Sequence, residues 1–130
     1  MLISVSVILF CVLAELFGRS AVRRFVSYSY NSGAAFGFLR DSPAILLNLE
    51  IAMNIIVVLL LIFGKMRTMT RVGLSMMLGG AVSNLVERLV WGHVIDWIPV
   101  PLLPLKFNLS DAFIALGAVI VFIMLNSPRR

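Results

Sequence analysis

The sequence predicts an all-α membrane protein with four transmembrane helices in a single domain, residues 1–130. Hydrophobic residues make up 61% of the 130 residues and charged residues only 13%, which is far from the composition of soluble globular proteins. The mean hydropathy is +1.05. Four apolar runs, each bounded by charge, proline or glycine, account for this composition.

The four runs cover residues 2–17, 44–63, 72–90 and 111–125. Since a helix needs about 17 to 25 residues to cross a bilayer, the second and third runs are long enough alone, whereas the first and fourth must borrow flanking residues or lie where the bilayer is thinned. A cleaved signal peptide is disfavoured for the first run, because no basic residue precedes it and no small-x-small site closes it. Its Cys11 is expected to pack within a helix.

The formal charge of +5 does not indicate a nucleic-acid partner, because the basic residues are scattered around the apolar runs. We expect them to meet lipid headgroups instead. Cytoplasmic segments carry an excess of Lys and Arg, so the larger group of basic residues predicts the cytoplasmic side. With Arg19 and Arg88 set aside as members of polar clusters, this group is Lys65, Arg67, Arg71, Arg129 and Arg130, against Arg23, Arg24, Arg40 and Lys106. Both termini are therefore predicted to be cytoplasmic.

Two aspartates, Asp96 and Asp111, lie beside the ends of apolar runs. Carboxylates are costly near a bilayer and usually functional there, and a pair of them is the minimum needed to activate water against a peptide bond without a metal or nucleophile. The intervening residues 97–106 include three prolines and are expected to lie extended along the membrane surface. Asn108 or Ser110 can then cap the fourth helix, with Asp111 in its first turn.

The third run ends in a further polar cluster. Asn84 and Arg88 are four residues apart and share a helix face, with Glu87 beside it. A salt bridge within the helix would explain Glu87 and Arg88 but not the asparagine, so a functional role is favoured. One turn earlier, the small residues 79–81 predict close packing against another helix.

Three motifs together resemble the lipoprotein signal peptidases, or signal peptidase II, which are four-helix aspartyl peptidases of the bacterial inner membrane. Residues 31–36 are similar to the family's N-x-G-A-A-F segment, residues 79–96 to its G-A-x-x-N-x-x-D-R-x-x-x-G-x-V-x-D block, and residues 107–111 to its F-N-x-A-D motif. The resemblance implies a site near the extracytoplasmic face, beside a loop region that can include a small β element.

By this resemblance, Asp96 and Asp111 form the catalytic dyad of a peptidase that needs no metal or cofactor. One carboxylate takes a proton from the attacking water while the other, protonated, donates to the scissile carbonyl. The two carboxylates of such a dyad lie close together and are therefore expected to share a proton. The helix N-terminus favours ionised Asp111, which is therefore assigned as base and Asp96 as acid. The residues implied to hold the dyad or the substrate backbone are Asn31, Gly33, Asn84, Arg88 and Asn108.

The chain departs from the family pattern at several supporting positions. Glu87 stands where the family has Asp, and we expect it to pair with Arg88. Ser110 replaces the usual Ala. Glu15 and Arg19 occupy the family's D-x-x-x-K pair, which would order the first helix against the site. Since both dyad positions remain aspartate, an active enzyme is predicted.

The implied substrate is the signal peptide of a prolipoprotein whose cysteine carries a diacylglyceryl group, cut just before that cysteine. Membrane lipid is the other expected partner. The protein is expected to be a monomer. Two alternatives stay open: a small four-helix proton-coupled transporter that uses Glu15, and an inactive relative that binds lipoproteins. His93 has no partners at metal-ligand spacing. Glu50 has no assigned role beyond facing the bundle interior.

Overall fold

The computed structural model describes residues 1–25, 27–34 and 37–128, without the side chains of residues 23–25. Two residues of the first motif, Ala35 and Phe36, lie outside the described residues. So do Arg129 and Arg130 of the charge tally.

Helices dominate the described chain, and short strands lie in two of the connections. The elements are α1 Leu2–Phe25, β1 Ser29–Asn31, α2 Pro43–Phe63, α3 Thr68–Trp91, β2 Val94–Asp96, β3 Ile98–Pro99, β4 Lys106–Phe107 and α4 Leu109–Asn126. The first helix continues to Phe25, well past the apolar run, and the buried Arg19 in this extension has an acidic partner on another helix. The borrowing of flanking residues expected for the first run is thus confirmed.

Three of the helices are long and apolar enough to cross a membrane, namely Leu2–Val22, Pro43–Phe63 and Leu109–Asn126. The prediction of a mostly helical membrane protein is confirmed in this form. α3 is not among the helices that meet this criterion in the described part of the chain, and its charged residues Arg71, Glu87 and Arg88 lie towards its two ends. It is instead the central helix, which packs against each of the other three.

Small residues let α3 approach its neighbours closely, as the residues 79–81 predicted. A Cβ atom at Gly79 would lie 2.7 Å from the Cβ of Cys11 on α1. One at Gly80 would lie 2.4 Å from the carbonyl oxygen of Ser110 on α4. Real Cβ atoms do not approach that closely, so these glycines set the distance at which α1 and α4 flank α3.

The strands form two small antiparallel sheets at one end of the bundle. β1 pairs with β2 in a register that places Ser29 opposite Asp96, and β3 pairs with β4 to make a hairpin from the proline-rich segment. The expectation that residues 97–106 lie extended along the membrane surface holds only for the ends of the segment, because residues 101–104 form a turn that reverses the chain. The first sheet fastens the α1–α2 connection to the residues that follow α3, which brings the first and second motifs together.

Candidate active site

Asp111 lies in the first turn of α4 and is held by the cap of that helix. Of the two predicted caps, Asn108 and Ser110, the N-cap is Asn108: its Oδ1 accepts a hydrogen bond from the Asp111 backbone N–H at 2.9 Å. The Asp111 Oδ2 accepts one from the Asn108 backbone N–H at 3.3 Å, which completes a capping box. The other carboxylate oxygen, Oδ1, accepts from Nδ2 of Asn84 on α3 at 2.9 Å.

Asp96 ends strand β2, and its side chain is held by two amides. Oδ1 accepts a hydrogen bond from Nδ2 of Asn108 at 2.9 Å, and Oδ2 accepts one from Nδ2 of Asn31 on β1 at 3.0 Å. Asn108 therefore bonds both aspartates, one through its amide nitrogen and the other through its amide oxygen. The sequence predicted that the two aspartates belong to one site, and in the structure the Asn108 side chain is hydrogen-bonded to both of them.

The environment of Asp96 favours its protonated form. The residue is only 4% exposed, and this burial is the main reason that its pKa lies above the usual range, with the nearby charge of Asp111 acting in the same direction. The hydrogen bonds from Asn31 and Asn108 favour the charged form and limit the rise in pKa.

Both aspartates line one cavity of about 330 Å³. Asn31 and Arg88 also line it, and the rest of the wall is mostly apolar, with Val94, Val100, Leu105, Phe107 and Ile114 among the lining residues. Polar groups that converge in a mostly apolar cavity are typical of a ligand site. The cavity therefore places two carboxyl groups beside a mostly apolar wall.

Arg88 binds the loop that carries the first motif. One guanidinium nitrogen donates to the Gly33 carbonyl oxygen at 2.6 Å, and another donates to Oε1 of Glu50 on α2 at 2.5 Å. The Gly33 N–H in turn donates to Oδ1 of Asn31 at 3.0 Å. Glu50, for which the sequence predicted no role beyond facing the bundle interior, is thus a member of this network. Its position midway along an apolar run was the available signal.

The expected pairing of Glu87 with Arg88 is wrong. Glu87 forms an ion pair with Arg19 of α1, and its Oε2 accepts a hydrogen bond from the Ile95 N–H at 3.2 Å. Successive helix residues point about 100° apart, so Glu87 faces α1 while Arg88 faces α2. Through Ile95, Glu87 also supports the strand that ends at Asp96.

Glu15 lies behind the dyad and does not line the same cavity. It is 2% exposed, and its Oε2 accepts a hydrogen bond from the backbone N–H of Ser110, beside Asp111, at 2.9 Å. The expected ordering of the first helix against the site thus runs through two contacts: Glu15 binds the start of α4, and Arg19 binds Glu87.

Within the described residues, no group of three or more His, Cys, Asp and Glu side chains is arranged to hold a metal ion. His93 packs its ring against that of Tyr30, with the ring centroids 4.3 Å apart.

The sequence of this chain matches a known protein family and several curated relatives. The family model described as signal peptidase (SPase) II matches residues 7–126. The lipoprotein signal peptidase of Caldanaerobacter subterraneus is 33% identical over 96 residues, which are 74% of this chain and 66% of the relative. That of Ectopseudomonas mendocina is 40% identical over 103 residues, or 72% of this chain and 60% of the relative. The chain thus spans from 60% to 66% of the length of these curated relatives.

The fold has solved counterparts. A bacterial membrane enzyme determined by the in meso method at 2.3 Å resolution superposes with a TM-score of 0.77, covering 98% of this chain and 93% of the other at 20% sequence identity. At that identity the likeness concerns the fold. The match of the family model over nearly the whole chain shows that the protein belongs to the signal peptidase II family.

Proposed function

We propose that this protein is a membrane aspartyl endopeptidase that removes the signal peptide from prolipoproteins whose cysteine carries a diacylglyceryl group, cutting just before that cysteine. The observation that carries the proposal is the pair Asp96 and Asp111, joined by Asn108 and open to one mostly apolar cavity. Membership of the signal peptidase II family supports the substrate class.

In the proposed mechanism Asp111 is the base and Asp96 the acid. Burial raises the pKa of Asp96 and favours its protonated form, in which it can donate to the scissile carbonyl oxygen as water attacks the carbonyl carbon. Asp111 takes the proton from that water, and the N-terminus of α4 stabilises its negative charge. When the tetrahedral intermediate collapses, the carbonyl oxygen returns its proton to Asp96, and Asp111 gives its proton to the leaving amine.

The supporting residues have distinct proposed roles. Asn108 fixes the separation of the two carboxyl groups, Asn31 holds Asp96, and Asn84 holds Asp111. Arg88 lines the cavity, and its proposed role is to hold the substrate backbone. Glu15 and Glu87 keep the first helix against α3 and α4.

We infer that α3 is a fourth membrane crossing, within a single domain. It has 24 residues, which is about 36 Å of helix, and no charged residue occurs between Arg71 and Glu87. Its charged residues therefore lie towards the two ends. At one end Arg71 donates to the Leu61 carbonyl oxygen, and at the other Glu87 and Arg88 have acidic or basic partners on other helices.

The proposed orientation follows from the same helix. The end that carries Lys65, Arg67 and Arg71 faces the cytoplasm by the positive-inside rule, together with both termini. The dyad then lies near the extracytoplasmic face of the bacterial inner membrane. A monomer surrounded by lipid is part of the same proposal, and its dyad is held by Asn31, Asn84 and Asn108.

The transporter alternative is not favoured. Its indispensable carboxylate, Glu15, is bonded to the Ser110 backbone, and it lines a small cavity of about 100 Å³ that is separate from the cavity of the two aspartates. A proton-coupled path would need access to that carboxylate.

The test is a cleavage assay of the purified protein with a lipidated precursor and, beside it, the same precursor without lipid. Asp96→Asn and Asp111→Asn preserve side-chain shape but remove the titrating group, so each is expected to lower the cleavage rate by about 1,000-fold or more. Because the two carboxyl groups act in one step, the double variant should lose little more than either single one.

The matched control is Asp41→Asn, which changes an exposed aspartate in the same way and should cleave normally. Cleavage at the wild-type rate by both dyad variants would overturn the peptidase assignment. Equal cleavage of the precursors with and without lipid would overturn the assigned substrate class.

A further inference from the structure

Glu50 is an acidic side chain on an apolar helix, and it is bonded to a residue of the site. Its neighbours along α2 are almost all hydrophobic, so a carboxylate here carries a cost that an interaction must offset. That interaction is the 2.5 Å hydrogen bond from Arg88, whose side chain is only 9% exposed, against 21% for that of Glu50.

From Glu50 a continuous chain of hydrogen bonds runs to Asp96. Arg88 binds Glu50 through one nitrogen and the Gly33 carbonyl oxygen through another. The Gly33 N–H binds Oδ1 of Asn31, and the Asn31 amide nitrogen binds Oδ2 of Asp96. Each residue of this chain is bonded to one neighbour on the side of α2 and to another on the side of Asp96. A displacement of Glu50 can therefore change the bond between Asn31 and Asp96.

The loop in the middle of this chain has little room to absorb a shift. Gly33 is buried, and a Cβ atom there would lie 2.8 Å from the Phe38 carbonyl oxygen. The next residue is also fixed, because the Ala34 N–H donates to that same oxygen at 2.7 Å. Closely packed backbone transmits a displacement instead of deforming locally.

We propose that Glu50 is a positioning residue of the active site, which holds Arg88 against the Gly33 carbonyl and thereby keeps the Asn31 amide on Asp96. This inference rests on the proposed peptidase function for its kinetic consequence. The alternative role for Glu50 is simple neutralisation of the Arg88 charge, for which any nearby negative charge would serve.

Two conservative variants separate position from charge. Glu50→Gln keeps the length of the side chain and an oxygen that accepts from Arg88, but loses the charge. Glu50→Asp keeps the charge but is one methylene too short for the 2.5 Å bond. If Glu50 acts by position, Glu50→Gln should cleave precursor within about threefold of wild type, whereas Glu50→Asp and Glu50→Ala should lose about 100-fold, as misplacement of catalytic groups does.

A double-mutant cycle tests the path from Glu50 to Asp96. Asn31→Ala breaks the chain at its last step, so Glu50→Asp should cost much less in that background than in wild type. Effects of coupled residues are not additive, whereas those of a general loss of stability are. Asn48→Ala, at an exposed position on the same helix, is the matched control and should cleave normally.

Hydrogen exchange of residues 29–34 gives a readout that does not depend on cleavage. Exchange in this segment should be faster in Glu50→Asp and Glu50→Ala than in wild type or Glu50→Gln, with α4 unchanged. Should the wild-type protein cleave no precursor, the peptidase proposal would fail while this exchange pattern still tested the positioning role. A normal rate for Glu50→Asp with a poor one for Glu50→Gln, additive effects in the cycle, or uniform exchange across the variants would overturn it.

Discussion

The two ends of the helical bundle use arginine in opposite ways. At the end with the aspartates, Arg19 and Arg88 pair with carboxylates on other helices. At the far end, Arg71 donates to the Leu61 and Gly64 carbonyl oxygens, which close the C-terminus of α2. There the nearby core is apolar, made of Val57, Leu61, Leu74 and Leu78.

This difference predicts which substitutions should affect catalysis and which should affect only stability. At the site end, charged side chains cross-link elements that are distant in sequence, so loss of one partner leaves a buried charge and moves a strand or loop next to the dyad. At the far end, an arginine satisfies the main-chain carbonyls of one helix end, which is a local function. Loss of the contacts at the end with the aspartates should therefore disturb both the fold and catalysis. Loss of the contacts at the far end should lower only the local stability.

The largest effect is expected at Glu87. Glu87→Leu leaves the buried Arg19 without its acidic partner and removes the acceptor of the Ile95 N–H, so unfolding in detergent should be easier by about 3–5 kcal/mol. Glu87→Asp can keep the charge but not both contacts, and should cost about 1 kcal/mol. Equal thermal stability and yield for wild type and both variants would contradict the claim that the ion pair of Glu87 stabilises the fold.

A second test targets Asn108. Asn108→Ala removes the donor to Asp96 and the cap of α4, so cleavage should fall by about 100-fold and stability by about 1 kcal/mol. Asn108→Ser keeps a capping oxygen and should regain stability but not rate. Asn126→Ala, at the exposed far end of α4, is the control. A rate for Asn108→Ser equal to wild type would mean that the bond to Asp96 is dispensable.

A third test uses pH. The wild-type kcat/KM should fall as pH rises through the raised pKa of Asp96, because the acid is then ionised. The bond from Asn31 lowers this pKa, so Asn31→Ala should raise it and move the alkaline limb of the profile to higher pH. A limb that moves to lower pH, or stays in place, would contradict the assignment of Asp96 as acid.

The smallest effect is expected at the far end. Arg71→Gln loses part of the contact with the Leu61 and Gly64 carbonyl oxygens and should lower the stability by about 1 kcal/mol. Cleavage measured under conditions where the variant is folded should equal that of wild type. A loss of rate comparable with that of Asn108→Ala would show that the two ends are coupled.

The sequence by itself determined the features that depend on neighbours along the chain. Apolar runs predicted the helices, because burial in lipid or protein requires a continuous apolar length. The residues 79–81 predicted close helix packing, and Asn108 with Asp111 predicted a helix start, because a cap involves residues three apart. The two aspartates were identified as a pair from their positions and from the resemblance of the surrounding motifs.

Only the tertiary structure decided which charged groups meet. Glu87 binds Arg19 and Arg88 binds Glu50, although Glu87 and Arg88 are adjacent in sequence, because adjacent helix residues face different neighbours. The link from Asn108 to Asp96 likewise depends on β1 and β2 pairing beside the start of α4. Such contacts are set by how helices and strands pack together, and packing is a property of the whole bundle instead of any one segment.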